Sequence, residues 1–272
     1  MIIFERFYHL EMISLQSFNL FLTIMAATAA VVFVALYFVD AGYGKFYNSK
    51  WGPAVNNRLG WVIMEAPVFV AMLLLCLLSP RRTDVARIVM LLIFEAHYFQ
   101  RSFIFPMLIR GNGRMPLSII LMGVIFNTLN ALMQGGWIFW ISPAERYTAA
   151  WLADPRFIIG TLIFIAGMFI NIQSDGIIRN LRKPGDNAHY LPKQGMFRYV
   201  TSANYFGELT EWVGFAILTW SWSGVLFAVW TFANLGPRAA RIHQRYRSEF
   251  GEEMADLEAG GPRIKRIIPF IY

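Results

Sequence analysis

The chain has 272 residues with 57% hydrophobic and only 15% charged, and this excludes an ordinary soluble domain, which carries about 25% charged residues. Its formal net charge of +7 would suggest nucleic acid in a soluble protein, but here the charges lie between long apolar runs and report topology and anionic ligands instead. The single cysteine, Cys76, lies inside an apolar run and cannot form an internal disulfide.

A membrane span needs roughly 20 apolar residues. Seven are predicted in chain order: 17–39, 59–78, 85–108, 116–141, 157–172, 203–222 and 224–235, the last interrupted by Asn234, Gly236 and Pro237 and followed by a polar extension. The first run is too long for the core of a cleavable signal. With the N-terminus outside, seventeen Lys/Arg fall in inside segments and six in outside segments, with Arg101 within a span, so the C-terminus is expected in the cytosol. The expected fold class is all-α integral membrane, as a single domain over 1–272.

Ionisable groups inside a span are costly and mark functional sites. Glu65 lies in the second span, about six residues or ~9 Å from its cytosolic end. Glu95, His97, Tyr98 and Arg101 lie in the third span, and Asn204, Glu208 and Glu211 in the sixth. All face the half of the membrane where the basic loops lie, which predicts one site built from several helices. Taken singly, a buried Glu can equally be a packing group paired with an arginine.

Asn171, Asp175, Arg179 and Arg182 are spaced +4, +4 and +3, so a helix presents all four within about 80° of arc. Arginine forks match phosphate oxygens. Lys183, Pro184 and Gly185 are expected to end that helix. The face suits a large anionic ligand at the membrane surface or, equally, anionic lipid headgroups. Arg110 and Arg114 flank two glycines in a loop that can approach a ligand closely, or that simply turns on the inner face. No GxGxxG, Walker A or HExxH motif is present, and the four histidines are too dispersed to suggest a metal site. The acidic stretch 249–258 reads as a solvated surface helix or loop.

Several stretches carry a resemblance. They are GYGK at 42–45, EAP at 65–67, HYFQRSF at 97–103, RGNGR at 110–114, NIQSDGIIRNLRKPG at 171–185, SANYFGELTEW at 202–212, LGPRAARIHQRY at 235–246 and the terminal IPFIY. In order and spacing the chain resembles the steroid 5α-reductases (3-oxo-5α-steroid 4-dehydrogenases) over nearly its whole length, in the manner of a bacterial homologue. The resemblance implies seven transmembrane helices enclosing a cofactor and substrate cavity open toward the cytosol. It also implies NADPH as hydride donor, and reduction of the C4–C5 double bond of 3-oxo-Δ4 steroids. Glu65 and Tyr98 match the pair that polarises the C3 carbonyl. Asn171, Asp175, Arg179, Arg182, Asn204, Glu208, Arg238 and Tyr246 match cofactor-binding positions, and Tyr43, Lys45, Arg110 and Arg114 fall in cofactor-contacting motifs. The segment 251–261 is longer than in many relatives.

The chemistry is consistent with the residue types. Enone reduction needs hydride at the β carbon and stabilisation of charge on the carbonyl oxygen, which a phenol and a protonated carboxyl can provide. An apolar surrounding favours the neutral form of a carboxyl group. The expected partners are a steroid or sterol-like lipid and the membrane, with no nucleic acid, and a monomer in a bacterial inner membrane or the endoplasmic reticulum. The competing readings are a membrane reductase of polyprenols or enoyl thioesters, a membrane methyltransferase using S-adenosylmethionine, and a lipid-binding or transport protein without catalysis.

Overall fold

The structure is a computed structural model that describes residues 14–39, 49–182 and 188–272. Helix α1 (Leu15–Phe38) opens on Ser14, whose side chain accepts the Ser17 N–H at 3.1 Å. A short strand β1 (Ala54–Asn56) leads into α2 (Asn57–Leu77), where the Asn56 side chain caps the Arg58 N–H at 2.9 Å. Helix α3 (Val85–Phe99) continues through a π turn at Gln100–Ile104 into a last helical turn, Phe105–Leu108. Strand β2 (Arg114–Pro116) pairs antiparallel with β1, a small departure from the all-α expectation. Helix α4 (Leu117–Gly135) closes with a π turn at Gly136–Ile141.

Helix α5 (Pro155–Asn180) starts where a helix should, with Asp154 as cap and proline in the first turn. Its C-terminus falls at Asn180, so Arg182 lies beyond the helix and does not share the face of Asn171, Asp175 and Arg179. The helix stops ahead of Pro184, consistent with the bias that proline imposes on the residue before it. Helix α6 (Ala203–Thr219) ends at Trp220, which adopts φ +46°, and Ser221 caps α7 (Trp222–Glu249) by accepting the Gly224 N–H. The predicted interruption at Asn234, Gly236 and Pro237 does not occur, and α7 runs on through Pro237. Leu235 and Ala239 pack into a cluster with Ile267, and that packing outweighs the hydrogen bond that proline removes. The acidic stretch is largely helix α8 (Gly251–Ala259), with Met254 fully buried beneath it.

Among the described residues, five helices are long and apolar enough to cross a membrane: Leu15–Phe38, Asn57–Leu77, Val85–Leu108, Leu117–Ile141 and Pro155–Asn180. The other two predicted spans form α6, of 17 residues, and the first half of α7. α6 is the inner helix. Its Trp212 and Phe215 are 1% and 0% exposed, and Trp212 meets Phe94, Phe164 and Phe227.

The α5–α6 contact sets the register of the site. A Cβ on Gly167 would fall 2.4 Å from the Glu211 nitrogen, and one on Gly207 would fall 2.4 Å from the Asn171 nitrogen. Only glycine lets the two backbones come this close, which is how small residues join helices in lipid. Gly160 and Gly214 repeat the contact two turns further along. The C-terminal tail returns to the start of α6, where the Thr201 N–H donates to the Lys265 carbonyl at 2.9 Å and the Ser202 N–H to the Arg266 carbonyl at 3.1 Å.

Candidate functional site

Two polar layers lie inside the helices. In the deeper one, α4 faces α2 and α3 with amides. Asn127 Nδ2 donates to the Met64 carbonyl at 2.8 Å and to Glu65 Oε2 at 3.1 Å. Asn130 Nδ2 donates to Tyr98 Oη at 2.9 Å. Glu65 and Tyr98 lie within electrostatic reach of one another and of Glu208. The Tyr98 ring packs on Phe94 with centroids 4.7 Å apart and on Trp212 at 5.7 Å. Beside it, His97 Nδ1 meets Glu211 Oε1 at 3.1 Å, with the imidazole edge-on to Trp212 at 4.6 Å. Both His97 and Glu211 are buried, so this pair ties α3 to α6 without water.

The second layer lies nearer the helix ends and is ionic. Arg101 occupies the π turn of α3, a distortion frequent at functional sites. Its guanidinium lies 4.5 Å from the Trp61 ring centroid and 4.4 Å from that of Phe105. Arg101 Nη1 is 3.5 Å from Asp175 Oδ2, and Nη2 is 3.9 Å from Glu208 Oε2. Asp175 Oδ1 accepts from Asn204 Nδ2 at 3.0 Å, and the Asn204 carbonyl accepts from Asn171 Nδ2 at 2.9 Å. The chain Asn171–Asn204–Asp175–Arg101–Glu208 therefore joins α5, α6 and α3. Gly167 and Gly207 make this join possible, because they bring Asn171 against the first turn of α6.

The remaining predicted residues are more dispersed. Arg110 Nη1 donates to the Arg179 carbonyl at 3.1 Å and Nη2 to Asn180 Oδ1 at 3.2 Å, a cation at the negative end of α5. Arg114 Nη2 donates instead to the Ala54 carbonyl at 3.2 Å, within the small sheet. Arg182 and Tyr246 share a small pocket with His189, Arg245 and Glu249. The Arg238 guanidinium lies 5.7 Å from the Tyr205 ring centroid. A groove beside α5, lined by Gln173, Gly176, Asn180 and Lys193, adjoins these groups. Tyr43 and Lys45 lie outside the described residues.

Sequence reasoning missed the amides. Asn127, Asn130 and Gln134 are all buried, and each donates inward, Gln134 to the Ser223 carbonyl at 2.9 Å. Their spacing of +3 and +4 in an apolar helix was a readable signal, a polar stripe about 60° wide. Arg101 was noted as buried without a role, whereas it is the cation that both carboxylates share.

Apolar helices of span length around buried ionic and amide layers are the construction of an integral membrane protein. Residues 113–272 match the 3-oxo-5-alpha-steroid 4-dehydrogenase family. The chain is 38% identical over 250 residues to 3-oxo-5-alpha-steroid 4-dehydrogenase 1 of Bos taurus, covering 90% of this chain and 93% of that one. It is 36% identical over 252 residues to the protein of the same name from Homo sapiens, covering 92% and 93%. To a steroid 5-alpha-reductase of Arabidopsis thaliana it is 35% identical over 246 residues, covering 88% and 90%. The chain belongs to the 3-oxo-5-alpha-steroid 4-dehydrogenase family, whose members are oxidoreductases acting on CH–CH groups.

Proposed function

We propose that this chain reduces the C4–C5 double bond of a 3-oxo-Δ4 steroid with NADPH, as one membrane-embedded domain of seven crossing helices. Its cavity opens toward the cytosol, with the N-terminus outside, the C-terminus inside and the chain acting as a monomer. The names of its relatives support the substrate class. The excess of Lys and Arg in alternate loops supports the orientation. α6 and the apolar half of α7 supply the sixth and seventh crossings in this reading.

The observation that carries the reading is the deep layer. Glu65 from α2 and Tyr98 from α3 each accept a hydrogen bond from an α4 amide, which leaves the phenol proton and the proton of a neutral Glu65 carboxyl for the substrate. As the enone is reduced, charge develops on its C3 oxygen, and donors fixed at that oxygen stabilise the transition state more than the ground state. Tyr98 and Glu65 each donate a hydrogen bond to that oxygen and keep their protons. The resulting enolate takes a proton at C4 from solvent. A sterol-sized substrate reaches the pair from the bilayer through apolar surroundings.

The shallower layer suits a nucleotide. Asn171, Asp175, Asn204 and Glu208 offer amide and carboxylate partners for ribose and carboxamide groups. Arg179, Arg182, Arg110 and Arg114 offer cations for phosphates at the cytosolic edge. Arg238, Tyr246, Tyr43 and Lys45 complete the set. The buried Ser174 hydroxyl, on α5 between Asn171 and Asp175, has no partner among the described residues, as expected where a ligand supplies one. NADPH, when bound, supplies the hydride to C5.

The test is turnover of progesterone or testosterone by the purified chain with NADPH, beside polyprenol and enoyl-thioester substrates. Glu65→Gln and Tyr98→Phe are each expected to lower kcat by roughly 100-fold or more, the scale of a positioned proton donor, with NADPH still retained. Near-normal turnover in both variants overturns the carbonyl role. Retention of S-adenosylmethionine in place of NADPH overturns the reaction class.

A further inference from the structure

We propose that Asn127 and Asn130, three residues apart on α4, are positioning residues that decide which atoms of Glu65 and Tyr98 face the substrate carbonyl. This rests on the reading of Glu65 and Tyr98 as the carbonyl-polarising pair.

The argument is one of proton inventory. A phenol has one proton and must point it at the substrate oxygen to donate a hydrogen bond there. A neighbour that accepted this proton would point it away from the reaction. Asn130 does the opposite, because its Nδ2 donates to Tyr98 Oη at 2.9 Å and occupies a lone pair. Asn130 Oδ1 has no partner among the described residues, and in this orientation it makes no claim on the phenol proton. The phenol proton remains free to be donated.

Asn127 treats Glu65 alike. Its amide orientation is fixed by the Met64 carbonyl at 2.8 Å, which only an N–H can satisfy. The same nitrogen then donates to Glu65 Oε2 at 3.1 Å, leaving Oε1 as the oxygen that carries the donated proton. Both amides project from one face of α4, so a single rigid helix sets both members of the pair. Gln134, one turn further on that face, anchors α4 through the Ser223 carbonyl at 2.9 Å. Neutral amides do this without adding a further charge to those of Arg101 and Glu208, which already act on Glu65.

A pair of double-mutant cycles tests the assignment. Asn130→Leu is expected to lower kcat about 10- to 100-fold while leaving the KM for NADPH unchanged, and to lower it less than 2-fold further in a Tyr98→Phe background. Asn127→Leu is expected to behave likewise against Glu65→Gln. Should either leucine variant lose nucleotide retention, the isosteric Asn130→Asp or Asn127→Asp takes its place under the same criterion. Additive losses in the cycles, or near-normal kcat in the single variants, overturn the positioning role and leave the Glu65–Tyr98 reading standing. Near-normal kcat in Tyr98→Phe and Glu65→Gln themselves overturns that reading instead.

Discussion

The two interior layers solve one problem by different chemistry. Glu65 and Tyr98 each accept a hydrogen bond from a neutral amide, Asn127 and Asn130, beside the buried His97–Glu211 pair. About one helical turn away, Arg101 is a cation placed against two carboxylates, Asp175 and Glu208, and two aromatic rings. Neutral hydrogen-bonded groups are cheap to bury. Ions are not, and they persist in an apolar interior only when charge is matched. The difference follows what each layer is proposed to meet. A ketone oxygen needs donors that stay uncharged until the transition state. Ribose and phosphate tolerate, and reward, fixed charge.

If that division is right, the ionic layer should fail hardest when Arg101, the cation between Asp175 and Glu208, is removed. Arg101→Met removes the cation that Asp175 and Glu208 share, and breaking such a network costs about 3–5 kcal/mol. The expected result is a large fall in melting temperature in detergent together with loss of NADPH retention. An unchanged melting temperature would show that the two carboxylates do not depend on Arg101, and the contrast between the layers would collapse.

Much of this arrangement was legible in the sequence, and the reasons divide cleanly. The third span, predicted as 85–108, coincides with the helix Val85–Leu108, and the fourth, 116–141, with Leu117–Ile141, because bilayer thickness dictates the length of an apolar run. Glu65, Tyr98 and Glu208 stood out because ionisable or phenolic groups are rare in such runs, and Asp175 because its spacing places it on one helix face with Asn171 and Arg179. The amides did not, since Asn and Gln interrupt an apolar pattern only weakly. Two boundaries went wrong where tertiary context decides. Pro237 reads as a stop, but the packing of Leu235 and Ala239 on Ile267 carries α7 through it. Arg182 reads as the fourth member of a helical face, but α5 has already ended at Asn180. The pairing of Arg101 with carboxylates on α5 and α6 depends on the glycine contact between those helices, which no local pattern announces.

Glu95 sharpens the comparison from the other side. It lies one turn from Tyr98 on α3, is 6% exposed, and neither carboxyl oxygen has a hydrogen-bond partner among the described residues. No amide or cation holds it, so it belongs to neither layer. An unsatisfied buried polar group costs about 1–3 kcal/mol. Glu95→Met is therefore expected to raise stability by about 1 kcal/mol, read as a higher melting temperature, with kcat within 2-fold of the parent. Destabilisation with loss of turnover would mean instead that Glu95 finds its partner in the working enzyme and joins the deep layer.

The smallest effect is expected where ions meet water. Glu258 on α8 pairs with Arg247 and accepts the Ile264 N–H at 2.8 Å, closing the tail over Met254, Leu191 and Tyr246. Burial alone would raise the Glu258 pKa, but the Arg247 and Ile264 bonds and the nearby Arg247 and Arg263 charges outweigh it and hold the carboxyl below its ordinary range. A depressed pKa in the folded state contributes stability above the pKa of the unfolded carboxyl, and that contribution is lost as pH falls through the folded value. The side chains of Arg247 and Glu258 are 31% and 19% exposed, so solvent screens the pair and its worth is below about 1 kcal/mol. Hydrogen exchange of the α8 amides should quicken as pH is lowered below the free-carboxylate value of about 4, after correction for the intrinsic rate. Glu258→Gln should flatten that dependence while leaving Arg101 and its carboxylates untouched. If the α8 amides respond to pH equally in parent and variant, the tail is held by the packing of Met254 alone, and charge matters only in the interior layer.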